Sequence, residues 1–91
     1  MKLEEYREKI DAVDEKLVAL FAERMELSRA IAEYKKENGL PVLDASREKE
    51  KLKSAAERSP AELRKYTRRL YALLFELSRD YQRELIGKER G

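Results

Sequence analysis

Two cationic side chains stand where a helical pattern of apolar residues predicts an inward-facing surface. Arg24 replaces an apolar residue in a heptad row, and Lys35 follows eleven positions later. At about 100° per residue, the two side chains lie within ~20° of each other around a helix, and Ser28 lies nearly on the same line. A guanidinium at an inward-facing position loses water and needs an anion to compensate. An inward-facing Arg24 therefore needs a negatively charged partner.

Polar residues of two other predicted helices also depart from the pattern of a plain helical bundle. Ser78 and Gln82 are four residues apart, which places a hydroxyl and an amide together beside an apolar helix face. Asp44, Arg47 and Glu48 occupy the first turn of a predicted short helix. There, Asp44 can cap the helix and Glu48 can project inward.

Each of these residues also has an ordinary structural interpretation. An arginine in an apolar heptad row occurs in coiled coils, where it specifies register or extends to the rim of the interface. The other charged candidates are compatible with a solvated helix face, and the hydroxyl–amide pair with an ordinary hydrogen bond at the surface or in a bundle core. Only the joint pattern points to one function.

Composition limits the chemistry that the chain can perform. The 91 residues include no Cys and no His, which removes thiol nucleophiles, imidazole bases and nearly all zinc sites, and we expect no metal and no cofactor. Charged residues make up 44% of the chain with a net charge of +2 and form no basic block, so we expect no nucleic-acid partner. No apolar run approaches membrane-spanning length and the N-terminus is no secretory signal, so a soluble cytoplasmic protein without a membrane partner is expected.

One long helix, predicted over about 3–38, must position Arg24 and Lys35. Its sequence contains no proline or glycine, and its apolar residues repeat every seven positions, which is typical of an intertwined helix pair. The two rows of this heptad seam are Leu3, Ile10, Leu17 and Ile31, and Tyr6, Val13, Leu20, Leu27 and Tyr34.

The length of this helix predicts a dimer. A continuous helix over these residues would be ~54 Å long, whereas a compact domain of this size is only ~30 Å across. We therefore expect a homodimer with intertwined long helices, in which the second chain covers the heptad seam. Arg7 points about 100° away from Arg24 on the same helix, but in such a dimer it could reach the site of the other chain.

Two further helices complete the predicted all-α fold, a single domain over the whole chain. Gly39 suits the left-handed position that ends the first helix, and Asp44 is a good N-cap for a second helix over about 45–57. The sequence of residues 59–62, Ser-Pro-Ala-Glu, predicts a capping box at the start of a third helix over about 60–86. The glycine that follows should end this helix and leave a frayed tail.

The joint pattern resembles the helical class of chorismate mutases. The resemblance is carried by Leu3-x-x-x-Arg7-x-x-Ile10-Asp11-x-x-Asp14, Leu20-x-x-Glu23-Arg24-x-x-Leu27, Ile31-Ala32-x-x-Lys35, Gly39-Leu40-Pro41-Val42-x-Asp44-x-x-Arg47-Glu48 and Ser78-x-x-x-Gln82. It implies three helices per chain, domain-swapped into a homodimer with two equivalent sites. It also implies the Claisen rearrangement of chorismate to prephenate in the synthesis of Phe and Tyr, a unimolecular reaction that needs no cofactor, nucleophile or proton transfer.

The resemblance further implies which residues hold the two substrate carboxylates. Arg24 would pair with one carboxylate, and Arg7 of the other chain would reach across the dimer to it. Arg47 and Ser78 would help to hold the second carboxylate.

Four more roles follow from the same resemblance. Lys35 and Gln82 would donate to the ether oxygen, which gains negative charge as the C–O bond breaks. Glu48 would accept a hydrogen bond from the substrate hydroxyl, and Asp44 would support the loop and offer a backbone contact. Lys35, Gln82, Arg24 and Glu48 are thus the expected catalytic residues.

Two other functions remain open on the sequence alone. An isochorismate-pyruvate lyase is a related helical enzyme with a similar cationic pocket, although Glu48 suits the hydroxyl of chorismate and favours the mutase. A non-enzymatic helical module for dimerisation or nucleic-acid binding would fit the long seam, but the chain has no basic patch or recognition-helix signature. Since only nine residues follow Gln82, we expect no further enzyme domain.

Overall fold

A computed structural model describes residues 2–90 of the chain, and the side chains of residues 2–87. It contains helix α1 (Leu3–Glu37), helix α2 (Ala45–Arg58), a 3₁₀ turn (Ala61–Leu63) and helix α3 (Arg64–Arg90). Within this part of the chain there is no strand, and the predicted all-α fold with a long, a short and a long helix is confirmed. No helix in the described range is long and apolar enough to cross a membrane, and the cytoplasmic location stays a prediction.

The turn between α1 and α2 is built by two caps that the sequence predicts. Gly39 has a φ of 63°, and Leu40 N donates to Lys35 O at 2.8 Å, which closes the α1 C-terminus as a Schellman motif. At the start of α2, Asp44 Oδ1 accepts a hydrogen bond from Arg47 N at 3.0 Å. The two caps fix the direction in which the chain leaves α1 and enters α2.

The predicted capping box at the start of the third helix is wrong. Ser59 is instead the C-cap of α2, and its hydroxyl oxygen lies 3.1 Å from Ala55 O and 2.6 Å from Thr67 Oγ1. Because the hydroxyl is engaged by these partners, it caps no backbone N–H of the next helix. That helix begins as the 3₁₀ turn, with Leu63 N donating to Pro60 O at 2.9 Å, and α3 proper starts at Arg64.

The predicted end of the third helix at Gly87 is also wrong. Helix α3 continues through Gly87 to Arg90, and Gly87 has no positive φ. Glycine weakens a helix interior by only about 1 kcal/mol relative to alanine, so it does not by itself stop a helix that the flanking residues favour. Gly91, the end of the predicted frayed tail, lies outside the described residues.

Within one chain, helix α1 packs against the other helices only through its second half. Helix α3 packs against both α1 and α2, and its contacts are made around small buried residues, Ala32 on α1 and Ala55 and Ala56 on α2. In contrast, every residue from 2 to 20 is exposed. The chain is correspondingly elongated, with extents of 54 × 27 × 15 Å and a radius of gyration of 16.4 Å, against ~12 Å for a compact chain of this length.

The heptad seam of α1 therefore has no cover within the chain. Its apolar side chains are between 48% and 62% exposed, and Leu63, Tyr66, Leu70 and Leu73 of the third helical segment are about half exposed as well. No large side chain among the described residues is fully buried. A single chain thus lacks the apolar core that a stable domain of this size needs.

Candidate active site

A pocket lies where the second half of α1, the start of α2 and the middle of α3 meet. It has a volume of about 350 Å³, at the lower end of the ~300–1,000 Å³ that is usual for small-molecule sites. Its lining comprises Arg24, Leu27, Ser28, Ile31, Lys35, Val42, Asp44, Arg47, Glu48, Lys51, Tyr71, Phe75, Ser78, Arg79 and Gln82. Each of the three helices thus contributes polar and charged groups to one cavity.

The two cations of α1 are both held by neighbours that leave donors free. The guanidinium carbon of Arg24 lies 5.4 Å from the centroid of the Phe75 ring, a cation–π contact, and its N–H groups form no hydrogen bond within the described residues. Lys35 Nζ donates to Val42 O at 2.7 Å, which leaves two of its three hydrogens for another acceptor. Both groups are half-buried, so an anion in the pocket would meet them with little intervening water.

A buried hydrogen-bond network joins α1 to α3 at one side of the pocket. Gln82 Nε2 donates to Ser28 Oγ at 2.9 Å, and Ser28 Oγ lies 2.5 Å from Ser78 Oγ. Ser28 and Gln82 are only 3% and 5% exposed, yet Oε1 of Gln82 is buried without a hydrogen-bond partner among the described residues. Such an unsatisfied acceptor costs about 1–3 kcal/mol.

Across the pocket, Glu48 of α2 forms an ion pair with Arg79 of α3. Arg79 Nη1 contacts Glu48 Oε1, and the two side chains are 25% and 21% exposed. The hydrogen bond with Glu48 raises the pKa of Arg79 above its ordinary value, against the opposing effect of desolvation. Arg79 therefore keeps its charge throughout the physiological pH range.

The lining carries an excess of positive charge. Five cationic side chains reach the pocket, Arg24, Lys35, Arg47, Lys51 and Arg79, against the two carboxylates of Asp44 and Glu48. A ligand with two negative charges would offset most of this excess. Among the described side chains, those of residues 2–87, no group of three or more acidic residues is arranged to hold a metal ion.

Seven of the eight site residues predicted from the sequence line this pocket: Arg24, Lys35, Asp44, Arg47, Glu48, Ser78 and Gln82. The eighth, Arg7, is exposed on the free half of α1 and does not line it. Arg24 follows Arg7 by seventeen positions, which corresponds to ~25 Å along a helix. Arg7 therefore cannot serve the pocket of its own chain.

Sequence reasoning missed part of the lining, most notably Arg79, Lys51 and Phe75. Ser28 was noted for its position near Arg24, but its hydrogen bonds to the α3 residues were not foreseen. A signal for Arg79 existed, because it lies three residues before Gln82 and so on a neighbouring helix line. Its pairing with Glu48 depends on how α2 crosses α3, which helical periodicity does not contain.

Comparison with known proteins shows that the chain matches a family of enzymes. The family model described as chorismate mutase type II matches residues 6–83, a range that includes Arg7 and every residue of the pocket. A chorismate mutase of Methanocaldococcus jannaschii is 48% identical to this chain over 48 residues, which are 53% of this chain and 48% of that protein. The match thus spans about half the length of this relative.

Proposed function

Since this chain belongs to the chorismate mutase type II family, we propose that it catalyses the intramolecular Claisen rearrangement of chorismate to prephenate, a step of Phe and Tyr synthesis. The observation that carries the proposal is the pocket itself. It gathers an excess of cationic groups and one buried amide around a cavity of small-molecule size. Chorismate carries two carboxylates, an ether oxygen and a hydroxyl, and the lining offers donors or acceptors suited to each.

The chemistry of this rearrangement suits a chain without histidine or cysteine. The reaction is unimolecular and pericyclic, so it requires no nucleophile, no proton transfer and no cofactor. The protein must hold a flexible dianion in a folded conformer, and orientation of this kind can supply several kcal/mol. It must also stabilise the negative charge that develops on the ether oxygen, where loss of one well-placed donor typically costs ~3–4 kcal/mol.

Orientation falls to the residues that hold the carboxylates. In this proposal Arg24 binds one carboxylate through N–H groups that the contact with Phe75 leaves free. Arg47 and Ser78 bind the other carboxylate, from the first turn of α2 and from α3. The substrate would thus be held between helices whose relative positions the fold fixes.

Stabilisation of the developing charge falls to Lys35 and Gln82. Lys35 retains two free hydrogens beside its bond to Val42 O, and Gln82 has an amino group with a second hydrogen besides the one it gives to Ser28. Both would donate to the ether oxygen from a partly desolvated site, where such bonds are worth more than in water. Glu48 would accept from the substrate hydroxyl, and Asp44, as the α2 N-cap, would hold the loop and offer a backbone contact.

We further propose that the enzyme is a domain-swapped homodimer in which Arg7 of each chain completes the pocket of the other. Three observations support this: the exposure of every residue from 2 to 20, the uncovered heptad seam, and the ~25 Å between Arg7 and Arg24. A second chain lying along the seam would bury these apolar rows and bring its own Arg7 to the first carboxylate.

The test is turnover of chorismate by the purified protein, followed as loss of chorismate absorbance. We expect Arg24→Ala, Lys35→Ala and Gln82→Ala each to lower kcat/KM by roughly 10²–10³-fold, because each removes a donor to a carboxylate or to the ether oxygen that gains negative charge in the transition state. Arg83→Ala serves as the matched control, since Arg83 is exposed on α3 and does not line the pocket. Unchanged turnover in all three pocket variants would sink the assignment, and turnover of isochorismate in its place would point to the lyase.

A further inference from the structure

Arg79 lines the pocket but has no role in the reaction outlined above. It extends from α3, next to Ser78, and contacts the carboxylate of Glu48 on α2. Both side chains of the pair are at least three-quarters buried. At this burial the partner of an ion pair matters, because removing it leaves a poorly solvated charge behind.

The contact occupies only one side of the Glu48 carboxylate. Arg79 engages Oε1, and within the described side chains no further hydrogen bond to this carboxylate is formed. An ionised carboxylate has two oxygens with about four acceptor positions, so Oε2 remains available to a donor from the ligand. Arg79 therefore anchors Glu48 without saturating it.

The other two cations near Glu48, Arg47 and Lys51, form no ion pair with its carboxylate. Arg47 precedes Glu48 on α2, and its side chain is exposed. Lys51 lies one turn further along α2 and lines the pocket, but it forms no salt bridge with Glu48. The α3 arginine is thus the cation that holds the acceptor in place.

We propose that Arg79 is a positioning residue, which fixes the Glu48 carboxylate to receive the substrate hydroxyl and offsets its charge against the incoming dianion. This inference rests on the function proposed above. The substrate hydroxyl takes no part in bond making or breaking, and the charge of Glu48 does not change during the reaction. Arg79 therefore acts on substrate and transition state alike, and its loss raises KM with little effect on kcat.

A purely structural role is the main competing explanation. Helix α2 buries only Ala55 and Ala56, so an ion pair to α3 also helps to hold it in place. A structural defect would lower the fraction of folded enzyme and reduce kcat for any state of Glu48. A direct contact between Arg79 and a substrate carboxylate would persist, or grow, when Glu48 is neutralised. The three roles therefore differ in how the effect of Arg79 depends on Glu48.

A double-mutant cycle separates these roles. The kinetic constants for chorismate are measured for the wild type, Arg79→Met, Glu48→Gln and the double variant. We expect Arg79→Met to raise KM about tenfold with kcat within about twofold, and to change kcat/KM by less than about twofold when Glu48 is already Gln. Equal effects of Arg79→Met in both backgrounds, or a loss confined to kcat, would overturn the proposal.

Two further variants serve as controls for the double-mutant cycle. Arg79→Lys keeps the charge and one donor, so we expect kcat/KM within about threefold of the wild type. Arg83→Met removes the same charge one turn further along α3, outside the pocket, and should leave KM unchanged. If circular dichroism shows that Arg79→Met is unfolded, the same cycle is run with Arg79→Gln and judged by the same criteria.

The two proposals fail in different ways. A folded wild-type protein that does not convert chorismate contradicts the proposed function, and the role of Arg79 falls with it. A wild type that converts chorismate while Arg79 and Glu48 act independently contradicts only the role of Arg79.

Discussion

Gln82 is a donor whose strength does not depend on pH. Its amide is buried between α1 and α3, donates to Ser28 Oγ and cannot ionise. Arg79, the pocket residue with a raised pKa, also stays charged, because a base with a raised pKa stays protonated up to a higher pH than usual. Neither residue introduces a titration near neutral pH.

We therefore expect kcat/KM of the wild type to vary by less than about threefold between pH 5 and pH 8, and that of Gln82→Glu to fall steeply as pH rises. Burial raises the pKa of a carboxyl, and only its protonated form can donate to the ether oxygen. The variant is thus active below this pKa and loses activity above it. The measurement is a pH–rate profile, and Ser28→Ala, which keeps the amide, should give a flat profile. A wild-type rate that collapses between pH 5 and pH 8 would contradict the donor role of Gln82.

At the scale of the helices, the end of α1 positions Lys35, a side chain that we propose to be catalytic. The Schellman motif at Gly39 turns the chain so that Val42 O accepts from Lys35 Nζ. Gly39 has a φ of 63°, and a Cβ added there would meet nothing within 4 Å. A side chain at position 39 would therefore clash with nothing, and its only energetic cost is the strain of the left-handed backbone conformation.

Replacing the two described glycines with alanine should change the free energy of unfolding in opposite directions. Gly39→Ala forces a left-handed conformation on alanine and should lower the free energy of unfolding by about 1 kcal/mol. Gly87→Ala adds a better helix former within α3, again with nothing near its Cβ, and should raise it by up to about 1 kcal/mol. Thermal unfolding followed by circular dichroism should show Tm shifts of roughly 4–8 °C per kcal/mol. An unchanged or higher Tm for Gly39→Ala would mean that the turn tolerates a different conformation.

Sequence patterns predicted the helices better than their ends. The heptad repeat predicts α1, because periodicity over many turns averages out local exceptions. Gly39 predicts the C-terminal end of α1, and Asp44 predicts the N-cap of α2. The start of α3 was missed because the Ser59 hydroxyl bonds with residues of α2 and α3, a tertiary preference that overrides a local motif. The pairing of Arg79 with Glu48 was missed for a related reason, since it depends on the rotation and crossing of two helices.

The described part of the chain is elongated, and half of its longest helix packs against nothing within the chain. It is 54 Å long and 15 Å thick, and the free half of α1 carries Arg7 away from the pocket. In the proposed dimer each pocket takes Arg24 and Lys35 from one chain and Arg7 from the other. This arrangement is testable with mixed dimers.

Two inactive variants should restore each other when their defects lie in different halves of the site. Chains with Arg7→Ala and Lys35→Ala, each with a different affinity tag, are co-expressed and the mixed dimer is purified on both tags. One of its two pockets then carries both defects and the other carries none, so we expect about half of the wild-type activity. Mixed dimers of Arg24→Ala and Lys35→Ala should stay inactive, because each pocket then has one defect. No recovery in the first mixture would exclude Arg7 from the partner's pocket.

The uncovered seam has a thermodynamic consequence for such a dimer. In such a dimer only the second chain would cover the exposed apolar rows of α1, so folding and association would become one equilibrium and stability would depend on the chain concentration. Dilution then acts as a denaturant: it lowers the melting temperature and removes active sites together with the fold. In a cell, the concentration of the chain would then set the fraction of chains that are folded as well as the number of enzyme molecules.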